Sequence, residues 1–175
     1  MPAPGAPPDF SNITLPPTPP RHKFETEFLF NYTMNLPLDQ PPMVLGDVGS
    51  GWLMVLSEQG TRITGPKING CVATFGQDYL TVRPDGVGEH IVRHVILTDD
   101  GAKITFCYEG RSDWGRDGYA AAARGDLPDG LRIRCAPYMQ TSHPDYLWVN
   151  RLQCIEVGEV YPSKGYGSFD VYALV

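Results

Sequence analysis

The sequence is short of the usual marks of chemistry. Its four cysteines, Cys71, Cys107, Cys135 and Cys154, form no C-x-x-C pair. Zinc ligands come in close pairs, so no structural metal site is expected. The four histidines contain no H-E-x-x-H, and there is no G-x-S-x-G elbow and no Walker lysine. These gaps remove the zincin, α/β-hydrolase and P-loop classes. The stretch Gly46-Asp47-Val48-Gly49-Ser50-Gly51 has neither G-x-G-x-x-G order nor a following helical pattern, so no dinucleotide site and no cofactor is expected. Nucleic acid is not expected either, because a net charge of −6 and 14 scattered basic residues offer a phosphate backbone little. No apolar run approaches membrane-spanning length, and no charged segment with an apolar core precedes Phe24. The expectation is a cytoplasmic protein without membrane contact, whose cysteines have no secretory context for a disulfide.

What is present is β patterning. The 175 residues, 42% hydrophobic and 11% aromatic, suffice for one domain with its own core. Eight of the 17 prolines fall in the first twenty residues, so residues 1–22 are expected to form a Pro-rich arm and residues 23–175 a single β-barrel domain. Phe24-Glu25-Thr26-Glu27-Phe28-Leu29-Phe30 alternates before turning apolar, as a half-buried strand does. Further strands are expected at Trp52–Leu56, Arg62–Ile68 (with Gly60 as the turn between), Cys71–Phe75 running into Tyr79–Val82, His90–Leu97, Lys103–Tyr108, Leu131–Cys135, Tyr146–Val157 and Phe169–Leu174. Pro84-Asp85-Gly86 and Thr98-Asp99-Asp100-Gly101 are turn chemistry, and strands joined so tightly are antiparallel. One short helix is expected at Tyr119–Ala123, with Asp117 as N-cap and Gly125 as stop. About eight strands and one helix favour an all-β, closed antiparallel barrel, which removes exposed edges; a two-sheet sandwich is the alternative.

Period two places His90, Val92, His94 and Ile96 on one face of their strand, and Tyr146, Trp148, Asn150 and Leu152 on one face of a later one. Large amphipathic side chains among aliphatic ones suit a ligand cavity, although each could equally fill a core with its polar tip satisfied.

Gly65-Pro66-Lys67-Ile68-Asn69-Gly70, then Gln77-Asp78-Tyr79-Leu80-Thr81-Val82-Arg83-Pro84-Asp85-Gly86, Val92-Arg93-His94 and Thr98-Asp99-Asp100-Gly101 resemble the successive motifs of the domain-of-unknown-function 3237 family. Tyr146-Leu147-Trp148-Val149-Asn150-Arg151 and Phe169-Asp170-Val171-Tyr172 resemble its closing strands. The resemblance runs from Trp52 to Leu174. It implies a small antiparallel barrel with a lumen, similar to the allene oxide cyclase and dirigent barrels. Those relatives steer reactive small molecules through cyclisation or coupling without metal or redox cofactor, and often pair as homodimers. His94 stands where the family usually has Tyr, and Gln140-Thr141-Ser142 replaces a more usual Glu-Thr-Gly.

These readings name the candidate residues. Asp78, an acid in an apolar strand, suits general acid–base work, with a structural ion pair to Arg83 or Arg93 as the alternative. His94 is the candidate proton shuttle. Arg83 and Arg134 could hold a carboxylate or an enolate oxygen. Tyr108, Tyr138, Trp148 and Asn150 would line the pocket. The function expected is a cofactor-independent lyase, isomerase or cyclase acting on a small, largely apolar metabolite in the lumen. A carrier with the same lumen and an interaction module with a solid interior are the alternatives.

Overall fold

Alternating strands separated by Gly- and Pro-bearing turns build a sheet that curls back on itself. The computed structural model describes residues 22–175 except 37, 40, 59–60 and 74–75; the arm up to residue 21, the Gly60 turn and the strand end at Phe75 lie outside the described residues. The strands are β1 Thr26–Asn35, β2 Met43–Asp47, β3 Trp52–Glu58, β4 Arg62–Thr64, β5 Gly70–Val72, β6 Gly76–Val82, β7 Val87–Thr98, β8 Lys103–Asp113, β9 Leu131–Cys135, β10 Tyr138–Gln140, β11 Cys154–Tyr161 and β12 Tyr166–Leu174, with helix α1 at Gly118–Arg124. Eight of them close a ring in the order β1-β12-β11-β9-β8-β7-β5-β4 and back to β1, every pair antiparallel. Closure excludes the sandwich. Strands β6, β3 and β2 extend the sheet beyond the ring, because β5 and β6 share one edge of β7, at residues 96–98 and 88–93 respectively.

The turns that set this register are those of the sequence. Gly86 (φ 81°) and Gly101 (φ 93°) supply the left-handed residue after Pro84-Asp85 and Asp99-Asp100. Helix α1 stops at Gly125 (φ 80°), as expected, but Asp117 makes no side-chain cap at its start. The expected strand over Tyr146–Val157 needs correction. Pro144–Arg151 is a 3-10 helix, with Pro at its first turn and Asp145 beside it, and the strand begins only at Cys154. Proline's fixed φ and missing N–H start a helical turn and stop a ladder. Tyr146, Trp148, Asn150 and Leu152 therefore do not share a strand face. The expected strand at Arg62–Ile68 likewise ends at Thr64, ahead of Pro66.

One end of the barrel is packed solid. Phe30 meets Phe106 edge-on at 5.5 Å between ring centroids, and Tyr32 stacks on Phe169 at 5.0 Å. Ile68, Ile96 and Ile104 are fully buried around them. A β1 bulge between Phe28 and Phe30 turns both Leu29 and Phe30 inward. Truncating a buried aromatic of this kind to Ala would cost about 3–5 kcal/mol. A second cluster, Met54, Leu80, Val82 and Ala122, seats α1 on the sheet extension. The other end of the barrel, where β6 and β3 lean off the ring, stays open.

Candidate functional site

The open end holds a cavity of about 280 Å³, close to the lower bound of ~300–1,000 Å³ usual for small-molecule sites. Met34 and Leu36 at the end of β1, Leu56, Leu80, Ile133 and Val160 form its walls, and Pro41, Pro42, Leu127 and Pro128 its rim. Among the described residues no Lys or Arg lines it, and the one carboxylate is Asp78. Below it a chamber of about 20 Å³ is bounded by Asp78, His90 and Tyr108 with Met34, Leu56, Ile133 and Phe169.

Strand register explains how these polar groups meet. Asp78 on β6, Val92 on β7 and Tyr108 on β8 are successive cross-strand partners, with Val92 and Tyr108 buried. The neighbouring row runs from His90 through Gly110 and Cys135 to Glu156 on β11. Gly110 leaves the space that the Cys135 thiol occupies. The inward face of β7 is the one expected from alternation, with His90, Val92, His94 and Ile96 all buried.

Asp78 Oδ2 accepts from His90 Nδ1 at 2.6 Å, His90 Nε2 lies 2.8 Å from Ser112 Oγ, and Trp114 Nε1 donates to Ser112 Oγ at 3.0 Å. An indole N–H can only donate. With the Nδ1 proton given to Asp78, Ser112 pairs His90 Nε2 while it accepts from the indole, so both ring nitrogens have partners. Gly88 is the cross-strand partner of Ser112, and a Cβ there would collide with the Ser112 hydroxyl and the Trp114 indole. Asp78 Oδ1 is buried without a hydrogen-bond partner among the described residues. Asp78 thus pairs with His90, not with Arg83 or Arg93.

His94 lies deeper, against Phe106 and Tyr108 and backed by Gly76. Burial pushes its pKa down to about 4, against the opposing pull of the Asp78 charge, so at neutral pH its imidazole is uncharged. Glu156, which sequence reasoning did not single out, is 1% exposed, and neither carboxyl oxygen has a fully formed hydrogen bond among the described residues. Burial pushes its pKa up to about 8, while the facing Tyr32 hydroxyl and Cys135 thiol favour the anion and Asp78 disfavours it. Tyr32 and Tyr108 meet hydroxyl to hydroxyl at 3.2 Å. Glu156 shares strand parity with Cys154 and Val160, both buried, whereas Glu159 faces out.

Of the residues expected at the site, Asp78, His94 and Tyr108 come together in the lumen. Arg83 lies outside, bonded to Asp85 at 2.5 Å and Glu89 at 3.3 Å. Arg134 is on the outer face and donates to the Ile133 carbonyl. Tyr138 is exposed on β10. Trp148 sits on the 3-10 helix under the Lys67 ammonium, 5.9 Å from it. Asn150 is spent on both backbone groups of Thr141. These five side chains do not line the cavity. Ser112 and Trp114, which the sequence reading did not name, hold His90 instead. Among the described residues no three His, Cys, Asp or Glu side chains converge as a metal site requires, and no helix is long and apolar enough to cross a membrane.

The model of the family described as "Protein of unknown function (DUF3237)" matches residues 25–174, and the chain belongs to that family. A UPF0311 protein of Rhodopseudomonas palustris is 27% identical over 136 residues, 77% of this chain and 86% of the relative. The crystal structure of a beta-barrel like protein from Acinetobacter baumannii superposes with a TM-score of 0.73 at 22% identity, covering 90% of this chain and 99% of that one. That of an enzyme from Penicillium herquei superposes with a TM-score of 0.63 at 20% identity, covering 93% and 100%. These likenesses carry the barrel fold.

Proposed function

We propose that this member of the DUF3237 family is a lyase, isomerase or cyclase that uses its own acid–base groups on a small, largely apolar metabolite bound at the open end of the barrel. The observation that carries the reading is the single carboxylate that the described residues give an apolar cavity, Asp78, held by His90 with Oδ1 unpartnered among them. With no cation on the wall among the described residues, a carboxylate or phosphate substrate would be repelled by Asp78 and gain nothing in return there. A neutral molecule with an acidic O–H or an enolisable C–H suits the site. Asp78 takes that proton, and the His90 N–H keeps the carboxylate oriented for it. Protonation of another atom of the same substrate by Asp78 then completes an isomerisation or ring closure with no net proton change. The Penicillium herquei neighbour, described as an enzyme, agrees with a catalytic use of such a barrel.

The test uses 2-tetralone, a neutral enolisable ketone, in D2O. Binding is read by quenching of Trp114, which lines the cavity, and chemistry by deuterium entering the α-carbon. Wild type should bind and exchange. Asp78→Asn should bind with exchange reduced by roughly 10²–10⁴-fold, the usual worth of a general base. Binding without exchange in wild type would transfer the cavity to the carrier reading. Exchange undiminished in Asp78→Asn would remove Asp78 from the chemistry.

A further inference from the structure

Glu156 is a buried acid that the proposed chemistry leaves unused. Its row joins it to His90 through Gly110 and Cys135, and its carboxyl faces Tyr32. Tyr32 in turn meets Tyr108 at 3.2 Å. Tyr108 bounds the same 20 Å³ chamber as Asp78 and His90. A chamber of that size exceeds the ~10–15 Å³ that one water needs, and a buried water needs two to four polar partners. The walls supply two in Tyr108 and Asp78, whose Oδ1 is otherwise unsatisfied among the described residues.

We propose that this chamber holds one ordered water, and that the water, Tyr108 and Tyr32 form a proton path joining Asp78 to Glu156. The proposal deepens the acid–base reading of Asp78. The two carboxyls share one exchangeable proton. With the proton on Glu156, Asp78 is a carboxylate and the cavity presents a base. When a substrate group that must be protonated before it loses a proton sits beside the Asp78 carboxylate, the proton is drawn across. The Glu156 O–H gives its proton to the Tyr32 oxygen, Tyr32 gives its own to Tyr108, Tyr108 to the water, and the water to Asp78. Each relay group loses one proton and gains one, so the net change is one proton moved from Glu156 to Asp78. The cavity then presents an acid, and the reverse sequence resets it. Burial of Glu156 supports its role as the resting store, since it favours the neutral acid there. Cys135, from β9, faces the same carboxyl but leads nowhere toward the cavity.

The path can be tested without a substrate. Infrared spectroscopy of protein carrying ¹³C-labelled glutamate resolves the C=O stretch of a protonated Glu156, identified by its loss in Glu156→Gln. On transfer to D2O, wild type should show the isotope shift of that band rapidly, because the path reaches the mouth cavity. Tyr108→Phe removes the hydroxyl and should slow the exchange by about tenfold or more, leaving only local opening of the barrel as a route. Tyr32→Phe cuts the same path and should behave alike, so a folding failure in one variant leaves the other to decide. Exchange at the wild-type rate in a folded Tyr→Phe variant overturns the path, and so does the absence of a Glu156 acid band at neutral pH. Either result leaves the tetralone experiment intact, and loss of exchange into tetralone in wild type would leave the infrared result intact.

Discussion

Replacing Glu156 by Gln should stabilise the barrel, and by an amount that depends on pH in a calculable way. The carboxyl has a pKa of 4.5 in an unperturbed chain and is pushed up to about 8 by its burial. A raised acid pKa means that the folded state holds a proton which the unfolded state has released. Stability from this group is therefore full below pH 4.5 and is lost as pH rises towards 8. At ~1.36 kcal/mol per pH unit the gap amounts to roughly 5 kcal/mol once both states are ionised, and to roughly 3 kcal/mol already at pH 7. Gln resembles the protonated acid in shape and cannot ionise, so Glu156→Gln escapes this loss. Urea unfolding followed by tryptophan fluorescence at pH 5, 7 and 9 would measure it. The two proteins should match within about 1 kcal/mol at pH 5, where the linkage has barely begun. The variant should lead progressively at pH 7 and 9. His94 works in the opposite sense. Its pKa is lowered from 6.5 to about 4, so its share of stability is present above 6.5 and lost as pH falls towards 4. Because both proteins carry His94, the difference between them cancels it. Parallel stability curves for wild type and Glu156→Gln would refute the raised pKa of this buried acid, and with it the reasoning behind the proton store.

Two further expectations follow from the same interior. Gly88→Ala places a methyl group against the Ser112 hydroxyl and the Trp114 indole; it should cost about 1–3 kcal/mol as overpacking and weaken the low-field proton resonance of the His90–Asp78 hydrogen bond, and an unchanged resonance would mean that Ser112 and Trp114 do not hold His90. Burial pushes the thiols of Cys135 and Cys154 up, the latter to about 11, so a thiolate-selective reagent should label the native protein first at half-exposed Cys71, with early labelling of Cys154 ruling this order out.

The strands that alternate cleanly were legible, and so was what they carry. β7 reads His-x-Val-x-His-x-Ile, and that face is the lumen. Asp78, named as an acid in an apolar strand, and Tyr108, named as a lining aromatic, both reach the inner chamber. The losses have two physical causes. Aromatic and β-branched residues from Tyr146 to Val149 carry strand propensity, but Pro144 and the backbone it starts override it. That error carried Trp148 and Asn150 to a lumen they do not reach. Glu156 was missed for a different reason. β11 is apolar on both faces, so composition gives no inside, and only pairing to Cys135 and Val171 selects the face that holds Glu156. The arginines were placed by the chemistry a ligand would want. Their neighbours Asp85 and Glu89, and the Ile133 carbonyl, already satisfy them outside the barrel.

Asp78, His90 and Ser112 are the residue types of a serine-nucleophile triad, linked in the same order by the same imidazole nitrogens. What they can do depends on which end meets the ligand. Ser112 is buried, takes an N–H from Trp114, and is absent from the cavity wall. Asp78 is on that wall, with one oxygen uncommitted. In a hydrolase the carboxylate is the buried anchor and the serine attacks; here the serine and indole are the anchor and the carboxylate faces the ligand. On the proposed reading, a carboxylate that faces the cavity with an oxygen uncommitted among the described residues suits proton transfer rather than attack by a serine. Ser112→Ala should therefore loosen His90 and reduce exchange into tetralone only partially, whereas Asp78→Asn removes it. Equal losses from the two changes would restore the serine to the chemistry.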